Sequence, residues 1–212
     1  MTKQEVRQRI LDVAIIPVVR ARTAELAIAA AQAIEAGGIP IVEITMTVPC
    51  PMDVIAELSR SSGGRMLIGA GTVWDAETAC QCLDAGAQFL VSPGFDLDMV
   101  QLANRAEKLV MAGALTPNEV RAAWRGGSDF VKIFPCGNAG GPSYIKALKA
   151  VLPQVEMVPT GGVNLANLAS FLNAGASAVG IGSELVTSTA LDRNDFAAIT
   201  ETARQFVAAC KE

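Results

Sequence analysis

Short apolar runs alternate along the chain with longer stretches in which apolar positions recur at helical spacing. The runs lie near residues 13–20, 39–46, 66–71, 88–92, 109–113, 129–134, 155–160 and 178–181, and each predicts a short strand buried on both faces. One phrase recurs at four boundaries: Glu35-Ala-Gly-Gly, Asp84-Ala-Gly-Ala, Arg125-Gly-Gly-Ser and Asn173-Ala-Gly-Ala each lead into a β-branched or aromatic run. Small residues that end a helix and hand over directly to a strand are the chemistry of a tight α-to-β loop. Helix starts are marked by Thr116-Pro-Asn-Glu119, a capping box with proline in its first turn, and by Asn164 ahead of Leu165. Thr2-Lys-Gln-Glu5 opens a short N-terminal helix. Strict alternation at roughly 20 to 25 residues per unit predicts a parallel sheet, and eight units predict an α/β fold, the (β/α)8 TIM barrel. The competing architecture is a doubly wound open sheet. No linker-like segment divides the chain, so residues 1–212 are expected to form a single domain.

Composition narrows the function. The 212 residues are 51% hydrophobic and 18% charged, enough for one fold that buries roughly 70% of its unfolded surface without disulfide or metal. The formal charge is -4, without a basic run, which argues against nucleic acid or an anionic membrane as the main partner and for a small ligand. The best membrane candidate, Val13 to Val19, is broken by Pro17 and closed by Arg20, far short of the ~18 residues of a span, and it is no signal peptide. Cys50, Cys80, Cys82, Cys136 and Cys210 form an odd set without CxxC spacing; reduced thiols packing as small apolar fillers in a cytoplasmic protein are expected. There are no histidines. Ser-His-Asp and Cys-His hydrolysis and His-built zinc sites are therefore excluded, and any chemistry must come from carboxylates, lysines, hydroxyls and backbone amides.

Two predicted strands carry charges where an apolar rule should hold. In Ile41-Val-Glu-Ile-Thr-Met46 a period of two sends Val42, Ile44 and Met46 to one face, and Ile41, Glu43 and Thr45 to the barrel interior. In Phe130-Val-Lys-Ile-Phe134 it leaves Lys132 inward between two phenylalanines. Burial disfavours an ammonium relative to the free amine, which is the condition under which an amine becomes a nucleophile. A structural salt bridge would account for either charge alone. Both, however, lie toward the C-terminal ends of their strands, where barrel enzymes keep their active sites.

A third feature is rich in glycine: Thr160-Gly-Gly-Val-Asn164 after strand seven and Gly180-Ile-Gly-Ser-Glu184 after strand eight. Loops at these positions are the usual phosphate cradle of the fold, where amides close on the oxygens and a short helix N-terminus adds its dipole. A phosphorylated substrate is suggested. Further strand-end residues are Arg20, Gly69-Ala-Gly-Thr72, Ser92-Pro93-Gly94 and Phe134-Pro135; Arg20 and Thr72 could hold a carboxylate.

Together, Val42-Glu-Ile-Thr45, Gly69-Ala-Gly-Thr72, Val91-Ser-Pro-Gly94, Lys132-Ile-Phe-Pro135, Pro159-Thr-Gly-Gly-Val163 and Gly180-Ile-Gly-Ser183 resemble the 2-keto-3-deoxy-6-phosphogluconate (KDPG) and 4-hydroxy-2-oxoglutarate (KHG) aldolase family over essentially the whole chain. The resemblance implies a cytoplasmic bacterial class I aldolase, a homotrimer that cleaves KDPG to pyruvate and glyceraldehyde 3-phosphate with neither metal nor cofactor. It implies Lys132 as Schiff-base lysine and Glu43 as acid/base. Thr72 would contact the pyruvate carboxylate, Thr160, Gly161, Gly162, Gly182 and Ser183 would line the sugar and phosphate end, and Pro93 and Phe134 would shape the pocket.

One position departs from the pattern. Some members carry an arginine shortly after the strand-two glutamate, where this chain has Thr45-Met-Thr47; others resemble this chain and place the arginine at the end of strand one, where Arg20 stands. Members acting on the galactonate epimer tend to have an apolar residue where Thr160 stands, which points to the gluconate-derived substrate. The alternatives are action on KHG or the galactonate epimer, a metal-dependent pyruvate aldolase, a phosphate-binding isomerase or synthase, and a non-catalytic phosphate-binding barrel. For the metal-dependent enzyme, Glu43 lacks an obvious inward acidic partner.

Overall fold

The structure, a computed structural model, describes residues 1–210. Its strands are β1 (Ile15–Val19), β2 (Ile41–Thr45), β3 (Leu67–Gly71), β4 (Phe89–Val91), β5 (Leu109–Ala114), β6 (Phe130–Ile133), β7 (Met157–Pro159) and β8 (Val179–Ile181). Helix α1 (Lys3–Val13) precedes them. The connections are α2 (Ala24–Ala36), α3 (Pro51–Ser62), α4 (Ala76–Asp84), α5 (Leu97–Arg105), α6 (Pro117–Arg125), α7 (Pro142–Val151) and α8 (Leu168–Asn173), and α9 (Ser188–Asp192) and α10 (Phe196–Ala209) follow β8. Each strand from β1 to β6 pairs in parallel with the next, β1 also pairs with β8, and an isolated parallel bridge between Thr160 and Gly180 joins the end of β7 to β8. That order closes an eight-stranded barrel and excludes the doubly wound sheet, whose order reverses at its middle.

The alternation reads as expected. Val42, Ile44, Val131 and Ile133 pack in the layer between strands and helices, whereas Ile41, Leu67, Phe89, Met111 and Phe130 fill the interior. Val6 and Ile10 of α1 join that inner cluster, and fully burying a side chain such as Ile10 contributes on the order of 1.5–3 kcal/mol. Around this plug Arg7 pairs with Glu156 at 3.0 Å and lies 5.5 Å over the Phe130 ring, and Lys3 reaches Asp129 at 2.9 Å. The N-terminal end of the barrel is thus sealed with apolar side chains, and chemistry is left to the other end.

The Thr116/Glu119 capping box forms as predicted, and the N-terminal helix opens where expected, with Thr2 and Glu5 making a second box. Three expectations need correction. Strand one starts at Ile15, not 13, because α1 runs through Val13 and Ala14 closes it in the left-handed conformation with φ 58°. No helix starts at Asn164: its Oδ1 accepts from the amides of Ala166 and Asn167 at 3.0 and 3.1 Å, which makes a turn and delays α8 to Leu168. The filler reading of the cysteines suits Cys82 and Cys136, whose thiols burial pushes up to about 12 and about 11, but Cys50 and Cys80 are exposed. Among the described residues no helix is long and apolar enough to cross a membrane.

Candidate active site

Glu43 on β2 and Lys132 on β6 stand four strands apart, on opposite sides of the barrel. Alternation turns both inward, and they meet: Lys132 Nζ lies 3.6 Å from Glu43 Oε1, with the side chains only 4% and 3% exposed. Glu43 Oε1 is buried without a hydrogen-bond partner, an arrangement that costs free energy and is concentrated at sites of function. Its position depends on Gly71, since a Cβ there would stand 1.9 Å from Oε1. The small Gly69-Ala-Gly71 run is thus a clearance feature that lets the carboxylate and the Phe89 ring into the interior.

Lys132 reaches a cleft of about 620 Å³ at the C-terminal end of the barrel, a size suited to a small ligand. Arg20, Phe134, Thr160, Gly161, Gly162, Gly182 and Ser183 line it too. The Lys132 Nζ lies 5.4 Å from the centroid of the Phe134 ring, within cation–π range. In the loop after β7, Gly161 and Gly162 take φ 86° and 82°, which L side chains rarely adopt. Their carbonyls are tied back by the Gly137 amide and by Asn167 Nδ2, each at 2.8 Å. The amides of Gly161, Gly162, Val163, Ser183 and Glu184 donate to no protein group among the described residues. The expected contribution of a helix dipole is not found here: α8 has 6 residues and α9 has 5, and both begin beyond the glycines. Loop amides are what this wall offers to an anion.

Arg20 is exposed at the end of β1, and its Nη1 donates to Thr47 Oγ1 at 3.2 Å. Thr47 is 2.7 Å from Thr45 Oγ1, and the Thr45 hydroxyl, fully buried, donates to the Val19 carbonyl at 3.1 Å. A neutral hydroxyl therefore orients the guanidinium and leaves its charge uncompensated. Thr72 and Pro93 follow β3 and β4 at the same end of the barrel but are not among the residues lining the cleft. Thr72 is half-buried with φ 62°. The Pro93 loop is fixed by Ser92, whose buried Oγ accepts from the Gly113 amide at 3.3 Å and donates to the Gly94 carbonyl. Sequence reasoning missed Arg22 and Asp192, both of which line the cleft, and marked Glu184, which also lines it, only as the end of the glycine-rich run after strand eight. Arg22 could have been found from its place two residues after Arg20; Asp192 lies on a short helix with no sequence signal. Among the described residues no group of three or more Cys, Asp or Glu side chains is placed to hold a metal ion.

Comparison with known proteins agrees with this geometry. The family model described as KDPG and KHG aldolase matches residues 6–202. The KHG/KDPG aldolase of Escherichia coli K12 is 30% identical over 197 residues, covering 93% of this chain and 92% of its own. The 2-dehydro-3-deoxy-6-phosphogalactonate aldolase of the same organism is 36% identical over 172 residues, covering 81% and 83%. A crystal structure of KDPG aldolase from Legionella pneumophila, with pyruvate captured as a covalent carbinolamine, superposes with a TM-score of 0.86 at 30% identity, covering 94% of this chain and 96% of that one. These relatives are aldolases, lyases that break a carbon–carbon bond, and so is this chain. It belongs to the KDPG and KHG aldolase family.

Proposed function

We propose that the chain is a class I aldolase that cleaves KDPG to pyruvate and glyceraldehyde 3-phosphate, with Lys132 as the nucleophile and Glu43 as the acid/base. The observation that carries this reading is the buried amine–carboxylate pair, 3.6 Å apart and with one carboxylate oxygen unbonded, next to a cleft with unbonded amides in its wall. The Lys132 amine attacks the C2 ketone to form a carbinolamine. Water leaves, helped by a proton from Glu43, and the resulting iminium accepts the electron pair of the breaking C3–C4 bond. Glu43, directly or through a water, removes the C4 hydroxyl proton as the aldehyde departs. It then protonates C3 of the enamine, and hydrolysis frees pyruvate and the amine.

Arg20 and Thr72 belong to the carboxylate end of this reading, Thr72 from just outside the cleft lining; Thr160, Gly161, Gly162, Gly182 and Ser183 belong to the sugar and phosphate end, and Pro93 and Phe134 shape the pocket. Gly182 suits that role because nothing lies within 4 Å of where its Cβ would stand, so the wall stays open to a ligand. Arg20→Ala is expected to raise the pyruvate half-saturation about tenfold or more, the size of a lost charge-assisted bond. Arg20→Ala with Thr47→Arg should recover part of it, since Thr47 Oγ1 is only 3.2 Å from the original guanidinium. Unchanged pyruvate binding in Arg20→Ala would leave the carboxylate to other groups.

The galactonate epimer is a second reading, favoured by the 36% identity to the phosphogalactonate aldolase. Thr160 supports the gluconate configuration. Its hydroxyl is buried in the cleft wall over Gly180, and among the described residues its one hydrogen bond is a long 3.5 Å donation to the Val158 carbonyl, so its lone pairs can still accept from a substrate hydroxyl. A site built to bond a hydroxyl discriminates strongly against a ligand that leaves it unpaired. The expected result is a kcat/KM for KDPG on the order of tenfold or more above that for its C4 epimer, with the gap narrowed in Thr160→Val. Equal efficiency on both epimers would remove Thr160 from the specificity argument. Assembly as a homotrimer is part of the same reading, and the exposed Trp74, Phe95 and Leu97 at this end of the barrel are consistent with a surface that another copy covers.

A further inference from the structure

The loop after β1 carries two guanidiniums, Arg20 and Arg22, and the structure draws them to opposite sides. Arg20 turns toward β2, where it donates to Thr47 Oγ1. Arg22 forms an ion pair with Asp192 at the end of α9, in the segment that follows β8. Arg20, Arg22 and Asp192 all line the cleft. Since β8 separates β1 from β7, Arg22 sits on the side of the unbonded amides and Arg20 on the side of Glu43. A phosphorylated keto acid has an anion at each of its two ends, and this loop holds one cation for each.

We infer that Arg22 is the residue that discriminates for phosphate, exchanging Asp192 for the terminal phosphate when substrate enters; this rests on the reading that the substrate is a phosphorylated keto acid. The cleft requires such a cation. Glu184 and Asp192 face the same space and would repel a phosphate held by the loop amides alone, and among the described residues the only cationic side chains lining the cleft are Arg20, Arg22 and Lys132. Lys132 is engaged with Glu43, and Arg20 points away from this end. The exchange itself is easy. The side chains of Arg22 and Asp192 are 73% and 51% exposed, so water screens their attraction, and a displaced Asp192 is simply solvated. A guanidinium gains more from phosphate, which it can bond through two parallel N–H groups while meeting a higher charge. Between substrates Asp192 serves as a placeholder that keeps the flexible side chain beside the cleft.

The test compares kcat/KM on KDPG with kcat/KM on the unphosphorylated acid, 2-keto-3-deoxygluconate, in the full chain and in Arg22→Ala, Arg22→Lys and Asp192→Asn. Arg22→Ala is expected to lower the ratio of the two values on the order of 10- to 100-fold, mostly through KM, with Arg22→Lys in between and Asp192→Asn at or above the parent ratio. If the parent strongly prefers the phosphorylated acid and Arg22→Ala keeps that preference, the inference is overturned. Equal losses on both substrates would also overturn it, because Arg22 would then serve the loop rather than the phosphate. So would a collapse of the ratio in Asp192→Asn, since the carboxylate would then be needed with ligand bound. A parent without any phosphate preference would instead remove the substrate reading on which the inference stands.

Discussion

Borohydride added with pyruvate is expected to leave one reduced pyruvyl group per chain, on Lys132, and Lys132→Ala to lose both the trapping and the retro-aldol reaction. The loss of rate should be at least about 10³-fold, since removing a covalent nucleophile leaves only the binding contributions of the site. The expectation comes from position: Lys132 combines burial, an unbonded carboxylate oxygen within 3.6 Å and access to the cleft. Mass spectrometry of peptides after reduction locates the label; labelling at another lysine of active protein would sink the assignment. Lys132→Ala leaves Glu43 as an unpaired buried carboxylate, which destabilises a fold strongly. Lys132→Met with Glu43→Gln removes both charges, and this variant should fold, bind no label and remain inactive.

Glu43→Gln should still form the pyruvate imine, slowly, but lose hydrogen exchange at the pyruvate methyl group by on the order of 100-fold or more, the contribution of a positioned general base. The substitution keeps the shape that Gly71 makes room for and removes only the proton acceptor. NMR of pyruvate in deuterated water measures the exchange directly, and borohydride trapping in the same sample measures the imine. If the variant exchanged the methyl protons at nearly the parent rate, another group would be the base, and the unbonded Oε1 would be a feature of folding alone.

Much of this was legible in the chain because the relevant physics is local. A period of two decides which face of a strand a residue occupies, so the inward placement of Glu43 and Lys132 followed from their neighbours, and the structure bears it out in the separation of Val42, Ile44, Val131 and Ile133 from Ile41 and Phe130. Capping boxes at Thr2 and Thr116 likewise depend on side chains three residues apart. Local rules also failed locally. An asparagine before an apolar residue can cap a helix or make a turn, and Asn164 makes the turn because its Oδ1 captures the next amides. That choice removed a helix dipole from the glycine-rich wall.

Contacts between strand ends belong to the closed barrel. The sequence by itself determined that Glu43 and Lys132 point inward and that glycines follow strands seven and eight. Only closure, with β2 opposite β6 across the interior, decided that amine and carboxylate meet, that Gly71 must lack a side chain to admit Oε1, and that Thr72 and Pro93 stand outside the lining of the cleft. The same holds for Arg20 with Thr47 and Arg22 with Asp192. Side-chain direction along a strand is a property of a few adjacent residues, whereas the partner across the barrel depends on the register of every strand between them.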